Sequence, residues 1–240
     1  MELALIVVTL GSFAASFVNA AFATGGVYIL LAASTAVLPL TAAIPLQSAF
    51  AFSSLLSRCA YFWKHIKWSI VAAFSVGSVI GVFLGAKIFV SLAEHTIAWL
   101  LGSLLLVFIW FPEVKWRLPI KHPFLYIGGL HSFLATMFGV GALLQPAILR
   151  TKLLKLQITS TLAACLITMD VFKMTGYISY GFDYSEYIPH IILATIAGFI
   201  GTWLGKRITH KISEETFRLG FKLLITLVAL RLLYQAYILG

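Results

Sequence analysis

The chain has 240 residues, of which 61% are hydrophobic and 10% charged, with a mean hydropathy of +1.00. A soluble domain of this length carries roughly a quarter charged residues, so there is too little charge here to coat a water-facing surface, and the sequence reads as lipid-embedded. The net charge of +9 does not point to nucleic acid, because the basic residues sit in short clusters between apolar runs rather than along one polar face.

A helix needs about 20 apolar residues to cross the hydrocarbon core. In chain order, the stretches read as spans are Leu3–Phe22, Pro45–Phe62, Trp68–Ile88, Thr96–Phe111, Gln157–Tyr177, Ile188–Gly205 and Phe217–Leu239. The first begins Met1-Glu2 without a basic region or cleavage site, so it is expected to be a mature helix and not a signal peptide. The runs are uniformly apolar and lack the period-2 alternation of an outer-membrane barrel.

Two regions depart from this pattern. Residues 20–38 (AAFATGGVYILLAASTAVL) and 135–149 (ATMFGVGALLQPAIL) are short, and each holds a glycine pair. Both are expected to be broken or re-entrant. Such backbone is tolerated at membrane depth only where it is buried in protein or lines a wet cavity.

An internal repeat organises the chain. Ser16-Phe17 and Phe22-x-x-Gly25 match Ser132-Phe133 and Phe138-x-x-Gly141. Gln47-Ser48-Ala49 lines up with Thr159-Ser160-Thr161, Gly81-x-x-x-Gly85 with Gly201-x-x-x-Gly205, and Glu94 with Glu214. The expected fold is an all-α polytopic membrane protein of two inverted-topology repeats, each a broken or re-entrant hairpin plus three spanning helices. Residues 1–111 form the N-terminal repeat, 112–123 a basic cytoplasmic linker and 124–240 the C-terminal repeat. The clusters Lys64/Lys67, Lys115/Arg117/Lys121, Arg150/Lys152/Lys155 and Lys206/Arg207/Lys211 fall on one side in this arrangement. The positive-inside rule then puts the linker inside and both chain ends outside. Inverted repeats place a transporter's substrate site at the repeat interface near the midplane.

The glycine stretch Phe22-Ala-Thr-Gly25-Gly26, its counterpart Phe138-Gly139-Val-Gly141-Ala-Leu-Leu-Gln145-Pro146, the hydroxyl elements Gln47-Ser48 and Thr159-Ser160-Thr161, and one Gly-x-x-x-Gly helix in each half together resemble the TauE/SafE family. That family comprises sulfite and organosulfonate exporters and is also described as sulfonate uptake permeases. The resemblance covers nearly the whole chain. It departs in the first half, where the family's fuller glycine run and its proline are replaced by Gly25-Gly26 and Leu30-Leu31. It implies a secondary transporter moving a small sulfur-containing anion across a bacterial inner membrane. The alternatives are an anion channel and a proton-coupled permease for another small organic anion. The expected partners are the anion and the lipid bilayer, with no nucleic acid and no cofactor. A homo-oligomer is compatible with the sequence. An enzyme is disfavoured, since the six histidines are scattered and no His-Glu-x-x-His set or phosphate loop occurs.

An anion at membrane depth needs fixed donors. Helix N-termini supply free N–H groups, and glycine lets a ligand come close to them. Gly25, Gly26, Gly139 and Gly141 are candidates for that role, against tight helix packing as the alternative. Asn19, Thr24, Gln47, Ser48, Gln145, Thr159 and Ser160 are neutral donors, with helix capping or interhelical bonding as the alternative. An ionisable group at the bilayer centre costs at least ~2.5–3.5 kcal/mol on insertion scales. Arg58 is read first as snorkelling to an interface and second as an anion contact. Asp170 and Lys173, at i,i+3, either neutralise each other or act as proton carrier and anion contact. His131 is either a packing residue or a group that titrates near neutral pH. Cys59 and Cys165 read as small buried hydrophobes. The Gly-x-x-x-Gly sets read as close helix contacts.

Overall fold

A computed structural model describes residues 2–22, 25–110, 122–208 and 214–239. The described residues form ten α-helices and two 3-10 turns, with no strand among them. The helices are α1 (Glu2–Phe22), α2 (Gly26–Val37), α3 (Leu40–Phe62), α4 (Trp68–Ser91), α5 (Glu94–Trp110), α6 (Pro123–Phe138), α7 (Leu144–Leu149), α8 (Lys155–Ser179), α9 (Ile188–Ile208) and α10 (Glu214–Leu239). Among the described residues, five helical stretches are long and apolar enough to cross a membrane: Glu2–Ala21, Leu40–His65, Trp68–Ser91, Leu156–Ser179 and Ser185–Arg207. The apolar helices α2, α5 and α6 have 12, 17 and 16 residues.

Both glycine stretches are interrupted, as the sequence predicts. Gly25 takes φ 93° between α1 and α2, and Gly139 takes φ 74° at the end of α6. These are left-handed conformations that glycine adopts without Cβ strain. At 1.5 Å rise per residue, α2 is about 18 Å long and α7 about 9 Å, so neither crosses a bilayer.

One boundary differs from expectation. The third helix starts at Leu40, not Pro45, and Pro45 lies inside it. Pro39 precedes the helix in an extended conformation. Leu40 N–H donates to Glu94 Oε1 at 2.8 Å, so a carboxylate from the start of α5 caps α3. Gln47 and Ser48 are therefore two turns inside the helix rather than at its start.

The centre of the bundle is α3. In it, 78% of the spanning window is enclosed, against 28% in α1. It packs on α8 and α9, while α4 packs on α6 and α8, α1 on α9 and α2, and α5 on α10. The glycine-rich helices make the closest contacts. A Cβ at Gly81 would lie 2.0 Å from the Gly129 carbonyl oxygen, and one at Gly85 3.1 Å from that of Phe133. In the other half, a Cβ at Gly201 would lie 2.4 Å from the Phe13 carbonyl oxygen, and one at Gly205 2.4 Å from that of Phe17. Gly129 and Phe133 stand in the second half where Phe13 and Phe17 stand in the first, in the register that aligns Ser16-Phe17 with Ser132-Phe133. The α4–α6 and α9–α1 seams thus have matching contact spacings, Gly81 and Gly85 on Gly129 and Phe133, and Gly201 and Gly205 on Phe13 and Phe17.

The same contacts fix directions. The order of partners makes α1 parallel to α9 and α6 parallel to α4. Ser48 meets Asp170 while Lys67 meets Thr161, so α3 and α8 are antiparallel. Gly102 faces Leu233 while Trp110 meets Thr226, so α5 and α10 are antiparallel as well.

Candidate functional site

A spanning helix satisfies its own backbone, so polar side chains at its buried face must find partners across a helix seam or in their own preceding turn. The α3–α8 seam shows the first case. Ser48 Oγ donates to Asp170 Oδ1 at 3.0 Å. Asp170 is 5% exposed and Lys173, one turn further along the same helix, 2%. Lys173 interacts electrostatically with Asp170 and with His131 on α6. The seam therefore gathers Ser48, Asp170, Lys173 and His131 from three helices. A buried cation and a buried carboxylate are held in one cluster, as their desolvation cost requires.

Two tyrosines close this cluster on the side of the α8–α9 connection. Tyr177 is fully buried and its hydroxyl donates to the Thr136 carbonyl. Tyr184 donates to the Pro45 carbonyl at 3.2 Å and feels the charge of Asp170. Phe182 bridges them, in edge contact with Tyr184 at 4.8 Å between ring centres and tilted against Tyr177 at 6.4 Å. A cavity of about 210 Å³ lined by Thr41, Pro45, Phe89, Tyr177 and Phe182 lies against these rings. Sequence reasoning missed both tyrosines. The only signal for them was an aromatic cluster at and after the end of α8, which reads equally as an interfacial belt.

The interrupted segments are held by side chains of neighbouring helices. Asn19 Oδ1 accepts from Gly26 N–H at 3.0 Å, capping α2. His131 Nδ1 accepts from Leu143 N–H at 3.2 Å and Leu144 N–H at 3.1 Å, at the start of α7. With Nδ1 as acceptor, the neutral ring carries its proton on Nε2. A Cβ at Gly141 would lie 2.4 Å from this ring, so a larger residue there would displace it. Gln47 ties the two interruptions together. Its Nε2 donates to the Val27 carbonyl at 2.8 Å, in the first turn of α2. Its Oε1 is buried without a partner among the described residues, and a Cβ at Gly139 would lie 2.2 Å from it. An unpartnered buried acceptor or donor is costly, and this amide is aimed at the second break.

The remaining predicted residues stand apart. Ser160 is buried, with Oγ donating to the Leu156 carbonyl of its own helix at 2.8 Å. Thr159 and Gln145 are half-buried. Thr161 Oγ1 accepts from Lys67 N–H at 3.0 Å and so caps α4 from α8. Arg58 is 9% exposed and its Nε donates to the Ser54 carbonyl at 3.4 Å. Its head is inside the protein, which corrects the expectation that it snorkels outward. Thr24 and most of the basic linker lie outside the described residues. The two free cysteines, Cys59 and Cys165, are half-buried and buried.

Residues 8–232 match the family model described as Sulfite exporter TauE/SafE. No curated protein and no solved structure matches the chain.

Proposed function

Because the chain belongs to the sulfite exporter TauE/SafE family, a transporter family of multi-pass membrane proteins, we propose that it is a secondary transporter. It exports a small sulfur-containing anion, sulfite or an organosulfonate, across the bacterial inner membrane. The substrate site lies at the interface of two inverted-topology repeats. The antiparallel α3–α8 and α5–α10 pairs support that inversion, since each pair joins equivalent helices of the two halves.

The observation that carries the proposal is the buried contact of Ser48 with Asp170, with Lys173 buried one turn further along α8. Lys173 supplies the positive charge that a desolvated anion requires. Gln47, Ser48, and the backbone at Gly25, Gly26, Gly139 and Gly141 supply neutral partners that orient the anion without trapping it. Asn19 and His131 position that backbone, and Thr24, Gln145, Arg58, Thr159 and Ser160 extend the path in the two halves. Asp170 exchanges a proton as the anion arrives and leaves, with His131 as the second candidate for that role. Proton exchange at Asp170 changes its competition with the substrate for Lys173, which gives a direct route to proton coupling.

The test is flux in proteoliposomes against sulfite, thiosulfate, sulfoacetate, taurine, sulfate and a carboxylate, with a pH gradient imposed and then collapsed. Saturable, counterflow-competent flux of a sulfur oxyanion supports the proposal. Asp170→Asn should retain counterflow and lose the response to the pH gradient, and Lys173→Met should lose both. Non-saturating flux without counterflow would instead make the protein a channel. No flux of any sulfur oxyanion would sink the substrate assignment.

A further inference from the structure

Buried hydroxyls on this protein's helices usually bond back to the carbonyl one turn earlier. Thr35, Ser57, Thr136 and Ser160 all do so. Ser12, Ser53, Ser54 and Thr202 depart from that habit. They are 1%, 0%, 3% and 3% exposed, and their hydroxyl oxygens have no hydrogen-bond partner among the described residues. Ser53 lies at the junction where α1, α3 and α9 meet, and Ser12 and Thr202 lie on the α1 and α9 faces that continue it. Its centre is Gly198 on α9, where a Cβ would lie 2.3 Å from Ser53 Oγ and 3.2 Å from Ser16 Oγ. Ser12 is one helical turn from Ser16 on the same face of α1, and Thr202 is one turn from Gly198 on the same face of α9.

The α4–α6 junction shows what a satisfied version looks like. Ser132 corresponds to Ser16 and Ser78 to Gly198 in the repeat registers, and their hydroxyls bond to each other at 2.5 Å. At the α1–α9 junction Gly198 offers Ser16 no such hydroxyl, and those of Ser12, Ser53 and Thr202 have no partner among the described residues. No carboxylate belongs to this set, and the next ionisable group along α3 is Arg58, one turn beyond Ser54. A hydroxyl set without carboxylates favours an anion over a metal cation.

We propose that the hydroxyls of Ser12, Ser16, Ser53 and Thr202 around Gly198 form a second oxyanion-binding station on the transport path, confined to the α1–α3–α9 junction and shut in this conformation. The inference rests on the transport reading and deepens it by naming where the anion's oxygens are held away from the α3–α8 seam. Gly198, Gly201 and Gly205 put backbone rather than side chain on the α9 face towards α1, and the junction opens by parting along that face. The anion then satisfies the donors that the shut state leaves unpaired.

The experiment uses the full-length protein. For Ser53→Ala and the Ser12→Ala/Ser53→Ala pair, the melting temperature is measured in detergent with and without sulfite, and sulfite KM is measured in proteoliposomes. Ser132→Ala serves as the comparison. Removing an unpaired hydroxyl should leave the ligand-free melting temperature unchanged or higher, since no bond is lost. The sulfite-induced shift should shrink, and KM should rise roughly tenfold for each hydroxyl that bonds the anion. Ser132→Ala breaks a formed pair, so it should lower the ligand-free melting temperature while KM stays within about twofold. The proposal is overturned if the Ser12/Ser53 double variant keeps the wild-type KM and sulfite-induced shift, or if Ser53→Ala destabilises the free protein as Ser132→Ala does. Wild-type flux with unaltered variants would remove this station alone. Absence of any sulfur-oxyanion flux in the wild type would remove the transport reading and this inference together.

Discussion

The tightest quantitative prediction concerns Gly81→Ala and Gly201→Ala, which stand at equivalent places in the two halves. Each added methyl would sit 2.0 Å from the Gly129 carbonyl oxygen or 2.4 Å from the Phe13 carbonyl oxygen. An ordinary carbon–oxygen contact needs roughly 3.5 Å, so α4 must move from α6, or α9 from α1, by about 1 Å or more. The obstacle is backbone and not a flexible side-chain end, so it cannot rotate away. Forcing one carbon into a packed seam costs about 1–3 kcal/mol. Alanine's better helix propensity returns up to about 1 kcal/mol of that. The net expected loss is about 1–2 kcal/mol per site. Gly220→Ala is the control, because nothing lies within 4 Å of its added carbon. It should be neutral or stabilising. Thermal unfolding in a mild detergent, followed by the fraction of monodisperse protein after heating, reads all three. If Gly81→Ala and Gly201→Ala survive heating as well as Gly220→Ala, the close-packed seams described above are wrong.

Other outcomes follow from single contacts. Asn19→Ala removes the cap on Gly26 N–H and should cost about 0.5–2 kcal/mol in the same assay. His131→Ala leaves the Leu143 and Leu144 N–H groups unpaired and should cost about 1–3 kcal/mol, with faster hydrogen exchange at those two amides as the local readout. Glu94→Gln keeps an acceptor for Leu40 N–H and should be milder than Glu94→Ala, and equal losses in melting temperature would deny the cap. Asp183 lies just outside the Ser185–Arg207 stretch, and the Ser185 N–H donates to it at 2.8 Å and holds its carboxyl below the usual carboxylate range. The contact is therefore fully present above the ordinary aspartate pKa and is lost as pH falls through the lower folded value. Exchange at the Ser185 amide should stay slow near neutral pH and quicken only in strong acid.

The helices were legible because lipid imposes one simple demand: long apolar runs with internally satisfied backbone. The interruptions were legible because Gly25 and Gly139 are the residues that enter left-handed backbone cheaply. The glycine seams were legible as packing, though only the structure shows that α4 receives α6 and α9 receives α1. The start of α3 was misread because Pro45 looks like an N-terminal residue, while the actual cap is a glutamate from another helix. For the same reason, the roles of Tyr184, Thr161 and His131 stayed hidden. Each acts across a seam on a residue distant in sequence, and a single sequence carries no record of which faces meet. Arg58 was misplaced because distance to a helix end was used as a substitute for burial.

The crosswise pairing of α1 with α9 and of α4 with α6 bears on how the protein comes to be made. Helix α1 enters the bilayer long before α9 has been synthesised, and its eventual neighbour arrives only with the closing part of the chain. Until then the ridge that will receive Gly201 and Gly205 is wetted by acyl chains. Severed halves expressed separately should each remain unfinished and recover a native fold only when produced together in one cell.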